Sequence, residues 1–182
     1  MIRILIGSLI AAAATFLVGL LMFATPMSDM GFKVASHAVQ VQVQEALRAL
    51  PESGTYFIPY GETPEAQALH EAGPTAVIQV NQSGAKIFEP MTMVKGYVHM
   101  VIAMLLLGIF LWMLRGALPT FASRVMPLLF LAVLAAFWTR LGEPIWWRTD
   151  WANAIYSAAS DVISLAVGGL IMAAFIPKAV RR

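Results

Sequence analysis

The chain has 182 residues, of which 59% are hydrophobic and 12% charged, about half the charged share of an ordinary soluble domain. That balance excludes a typical water-soluble enzyme, and the Lys and Arg residues sit singly between apolar runs rather than in the patch that nucleic acid requires. Cysteine is absent, which removes disulfides, thiolate catalysis and Cys-ligated metal centres.

Four stretches are predicted to cross a bilayer. Residues Ile4 to Ala24 carry no charge, and a helix of that length rises about 31 Å, matching a hydrocarbon core of about 30 Å. With Arg3 in front and no good small-x-small cleavage site before Pro26, residues 1–24 read as an uncleaved signal anchor rather than a cleaved signal peptide. Within it Gly7, Ala11, Thr15 and Gly19 recur every four residues, a ridge fit for close helix contact inside the monomer or against another subunit.

Residues 25–96 are too long for a connector and lean acidic, so they are predicted to be a small α+β insertion. A helix is expected from Asp29 to Leu50, since Val39, Val43, Leu47 and Leu50 share a face. The alternation of valine and glutamine over Val39 to Gln44 is the competing strand pattern. A short strand at Thr55 to Ile58 follows, then a helix opened by Thr63 and Pro64 and closed by Gly73. Ala76 to Val80 is expected to turn at Asn81 to Gly84 and pair as a hairpin with Ala85 to Phe88. Such a core is thin for an isolated domain.

The second span is read from Tyr97 to Leu114. The third has a strictly apolar core of only Val125 to Trp138, so it needs residues 118–124 as an extension, with Pro119 starting the helix, Pro127 bending it and Arg124 snorkelling toward headgroups. Leu141 to Trp151 reads as a link in which Glu143 and Asp150 are solvated acids. The fourth span runs from Ala152 to Ile176, stopped by Pro177. Residues 97–177 therefore form a three-helix region, followed by a basic tail at 178–182 containing Lys178, Arg181 and Arg182.

Charge orients the set. Arg3, Arg115, Arg124 and the tail fall on one side without any acid, whereas the other side holds all the acids outside the spans. The positive-inside rule then puts both termini in the cytoplasm and residues 25–96 outside, with Trp138, Trp146, Trp147 and Trp151 as an outer aromatic belt.

Asp161 is the one acid with no escape, about 15 Å inside the fourth span when counted from Trp151. It should face the bundle interior. Its candidate partners are Arg140 and His99, and a structural ion pair with Arg140 is preferred to a proton relay. On the same helix Asn153, Ser157, Ser160, Ser164 and Gly168 follow at steps of three or four, a stripe suited to helix packing or to a polar path. Met27, Met30, Met91 and Met93 gather toward the outer side, and with His37, His70 or His99 they are the weak candidates for Cu(I), since thioethers are soft ligands. No glycine-rich phosphate loop, HExxH or serine elbow is present.

This layout of anchor span, outer insertion with the string Gly54 to Pro59, the stretch Met91 to Gly96 and three further spans loosely resembles small bacterial inner-membrane proteins. The resemblance implies that setting and no activity. The expectation is therefore an α-helical integral membrane protein with four transmembrane helices, surrounded by lipid and partnered by another membrane protein or its own copies, as an accessory or assembly subunit. The competing readings are a small transporter or proton-coupled module centred on Asp161 and a methionine-lined copper handler.

Overall fold

The computed structural model describes residues 1–177, so the predicted basic tail lies outside the described residues. The elements in chain order are α1 (Ile2–Phe23), a 3-10 turn (Pro26–Met30), α2 (His37–Arg48), β1 (Gly54–Ile58), α3 (Pro64–Ala72), β2 (Ala76–Val80), α4 (Pro90–Met113), α5 (Phe121–Arg140), α6 (Glu143–Trp147) and α7 (Trp151–Phe175). Four of these runs are long and apolar enough to cross a membrane: α1, α4, α7 and the α5–α6 run Phe121–Trp147. The chain is thus a four-span helical membrane protein with a small helix-and-strand insertion between the first two spans.

It divides into two units. One comprises residues 1–32, 89–144 and 150–177, and the other Lys33–Phe88 with Ile145–Thr149. In the helical unit α1 packs on α4 and α7, and α5 packs on α7. Ile4, Ala11, Met104, Leu111, Met172 and Ala173 form its buried centre.

Small residues let these helices approach. A Cβ at Gly7 would sit 2.7 Å from Phe175, one at Gly108 would sit 2.7 Å from Ile4, and one at Gly168 would sit 2.9 Å from Thr15, all closer than real Cβ contacts allow. The ridge read at Gly7, Ala11, Thr15 and Gly19 is therefore spent inside the monomer: Ala11 and Thr15 are buried and Gly19 faces Met100.

Several boundaries differ from the sequence reading. The helix expected from Asp29 is broken, because Gly31 is wedged under the ring of Tyr156 and its carbonyl accepts a 3.0 Å hydrogen bond from Asn153 Nδ2. The chain is pinned there and α2 begins only at His37, as a helix and not the competing strand. The span expected from Tyr97 starts two turns earlier at Pro90, which suits the first helical turn where no N–H is needed.

The third span begins at Phe121, two residues beyond the expected Pro119. Thr120 is the N-cap, and with Ser123 it makes a capping box in which each side chain accepts the other's backbone N–H. Asp150 is not a free solvated acid but the N-cap of α7, accepting from Ala152 N. Glu143 lies 4.0 Å from Arg140, and the expected link holds the short α6.

Arg124 shows the largest departure. It does not snorkel. Its side chain is 4% exposed, and its guanidinium donates to Leu118 O (2.9 Å), Ala173 O (3.1 Å) and Ile176 O (2.9 Å). The last turn of α7 leaves carbonyls without helical partners, Pro177 has no N–H to offer, and the negative end of that helix favours a cation. These acceptors satisfy the guanidinium within the protein.

In the insertion unit β1 and β2 pair antiparallel, from Gly54 opposite Val80 to Ile58 opposite Ala76, across the intervening α3. The expected hairpin with Ala85 to Phe88 does not form. After β2 the chain instead turns back to α2: Gln82 N donates to Ser53 Oγ, and Gln82 Nε2 donates to Leu47 O and Leu50 O. Thr63 caps α3 through Ala66 N, and Gly73 ends it in a backbone conformation (φ 65°, ψ 177°) that is essentially reserved for glycine.

Candidate functional site: an intramembrane ion pair beside a groove

Asp161 lies in the third turn of α7 and Arg140 is the last residue of α5. Because α5 packs along α7, the long arginine stem can turn inward from the helix end. Arg140 Nε donates to Asp161 Oδ2 at 2.7 Å, and the two side chains remain 40% and 37% exposed.

The Asp161 side of the pair opens onto a groove of about 270 Å³ within the helical unit. Its α4 wall carries His99, Met100, Ala103 and Met104, its α5 wall Ala135, Ala136 and Thr139, and its base Asp161, Ser164 and Leu165 of α7 with Thr15 of α1. Thr139 Oγ1 donates to Ala135 O at 2.8 Å. His99 thus shares the groove with Asp161, while the ion pair itself is with Arg140. Ser157 and Ser160 are buried on the helix above the groove, and only Ser164 of the predicted serines lines it.

The groove has a dry floor. Thr15 Oγ1 donates to Ala12 O at 3.0 Å and lies 3.7 Å from Met100 Sδ. Further toward the Pro177 end, Ser8 Oγ donates to Ile4 O at 2.8 Å. Between these two hydroxyls the interior is Met104, Leu111 and Met172, all buried. The polar lining stops at Ser164 and Thr15, because the hydroxyls that continue the line are committed to backbone carbonyls of their own helix.

The methionines read as metal candidates do not converge. Met91 and Met93 are two residues apart on α4, where such neighbours point to different faces. Met27 and Met30 are exposed on the 3-10 turn. Among the described residues no group of three or more His, Asp or Glu side chains could hold a metal ion.

The insertion unit has a second cavity of about 270 Å³, walled by Phe57, Tyr60, His70, Trp146, Trp147 and Arg148. Phe57 lies against Trp147 with ring centroids 5.1 Å apart. His70 Nδ1 is 3.0 Å from Pro59 O, which places the proton on Nδ1, since a carbonyl only accepts.

Fold and site together define a multi-pass membrane protein whose transmembrane helices enclose a half-exposed Arg–Asp pair. Compared with known proteins, the chain matches no family model, no curated protein and no solved structure, so function is argued from geometry.

Proposed function

We propose that the chain is an accessory or assembly subunit of a larger complex in a bacterial inner membrane, with residues 25–96 on the outer side and both termini in the cytoplasm. One observation carries this reading: from Phe32 to Pro90 not a single residue is buried. A unit of that length that stood alone would bury a core. Here α2 leaves Val39, Val41 and Val43 exposed, α3 leaves Leu69 exposed, and Ile87 and Phe88 stand open to solvent. An outer domain of another membrane protein laid across these side chains would supply the missing cover, and the acids of the insertion (Glu45, Glu52, Glu62, Glu65 and Glu71) favour a basic partner surface.

The test is to solubilise membranes mildly, weigh the particle and identify what travels with it, using a photo-crosslinker at Val41. The expected result is a mass above that of the monomer, one dominant crosslinked protein, and dissociation when Val39 and Val43 are both changed to Ser. A particle that is always monomeric, with no crosslinked product, overturns the reading. The transporter alternative has less support, because the polar lining around Asp161 meets the packed layer of Met104, Leu111 and Met172. The copper alternative is weakened by the divergence of Met91 and Met93.

A further inference from the structure

We propose that the groove between α4 and α5 is a dead-end binding site for the neutral, oxygen-bearing head of a small amphiphile that enters sideways from the bilayer. This does not rest on the assembly reading. Three observations in the helical unit support it.

The first is exposure. A charge facing acyl chains is costly, yet Asp161, about 15 Å from the start of α7, keeps 37% of its side-chain surface open and lines the groove. Whatever fills the groove must therefore offer polar atoms at that end. The second is the two-part lining. His99, Thr139, Asp161 and Ser164 supply a polar end, while Ala103 and Ala135 leave space between the walls where larger side chains would fill it. Water would satisfy only the polar part, whereas a head with an apolar chain matches both. The third is closure below, because the floor of Met104 over Gly168 leaves no polar route onward.

Charge narrows the head. Asp161 is the one carboxylate in the groove's lining and is already paired with Arg140 at 2.7 Å, so a cationic head gains little there and an anionic head meets a carboxylate. A neutral hydroxyl or carbonyl fits: the Asp161 carboxylate has about four acceptor sites, of which this bond uses one, and Ser164 and His99 line the groove as donors to a carbonyl. At about 270 Å³ the groove is at the small end of ligand pockets, large enough for a head and the first part of its chain.

The test uses the whole protein in phosphatidylcholine nanodiscs with decanol carrying a diazirine as photoprobe. Labelling is expected to concentrate on the groove-facing residues of α4 and α5, including Ala103 and Ala135. It should fall about tenfold when a competitor is present at about ten times its apparent Kd. Competition by dioctanoylglycerol identifies a hydroxyl head and competition by decylbenzoquinone a carbonyl head; either supports the site, and competition by neither overturns it. Ala135→Phe and Ala103→Phe fill the groove from opposite walls, so the loss of labelling can be read from whichever variant folds. Labelling equally strong at the outward Phe130 and Phe137, unchanged by either substitution, overturns the proposal. So does rapid reaction of Ser164→Cys with a water-soluble thiol reagent in the probe-loaded discs, which would show that water fills the groove; the chain's own lack of cysteine keeps that readout clean.

Discussion

Replacing Arg124 by Met removes the donors that hold two α7 carbonyls, at Ala173 O and Ile176 O, and the bond to Leu118 O in the α4–α5 link. A fourth contact, to Pro119 O at 3.4 Å, is too long to count for much. Leaving a buried acceptor unsatisfied costs about 1–3 kcal/mol. The carbonyl of Leu118 lies in a link that can rehydrate, and methionine no longer requires a cation to be stripped of water. The net loss expected for R124M is therefore about 2–4 kcal/mol, most of it from the two helix-end carbonyls. R124K should recover only part of it, because an ammonium is a compact donor that cannot span two helices as the planar fork does. Unfolding in mixed micelles titrated with sodium dodecyl sulfate, followed by circular dichroism, measures both differences. An R124M protein within about 0.5 kcal/mol of the parent, as for a surface change, would refute the view that Arg124 ties α5 to the end of α7.

Three further outcomes are expected. In a double-mutant cycle with Arg140→Gln and Asp161→Asn, the coupling energy should exceed about 1 kcal/mol, because the pair sits within the helical bundle beside a groove not filled by bulk water; a value at or below that, as for a pair bathed in water, would contradict this setting. Gly168→Leu should separate α7 from α1 and α4, where Thr15 and Met104 leave no room, and lower stability by about 1–3 kcal/mol; unaltered stability in the same titration would contradict the packing. Gly73→Ala places a side chain at φ 65° and ψ 177° and should destabilise the β1–β2 pairing by about 1–3 kcal/mol. Limited proteolysis between residues 33 and 88 should then quicken, and an unchanged cleavage rate would count against that backbone geometry.

The spans were legible because hydrocarbon imposes length and apolarity on a continuous stretch, a property of residues adjacent in sequence. Asp161 was conspicuous for the same reason, as an acid in such a stretch, and Arg140 could be named as a partner because α5 and α7 are joined by a short link. What escaped depends on contacts between distant residues. Pairing of β1 with β2 bridges α3, whereas the turn signal at Asn81 to Gly84 is local and pointed to a hairpin. Gly31 stops a helix only because Tyr156 and Asn153, more than a hundred positions later, hold it. Arg124 offered one missed signal: Pro177 ends α7 with carbonyls that need donors, and the start of an antiparallel neighbour is where a cation can supply them. The groove was not legible, since Ala103 of α4 and Ala135 of α5 are ordinary alanines until the fold lines one cavity with both.

The tie through Arg124 also bears on how the polypeptide is made. Its acceptors Ala173 and Ile176 are 49 and 52 positions further along, so they are synthesised after the arginine. Until then the arginine, in the first turn of α5, has no α7 carbonyl to donate to. The bonds that join the start of the third span to the end of the fourth therefore form only once the final helix is in place, and a chain truncated before residue 173 lacks them.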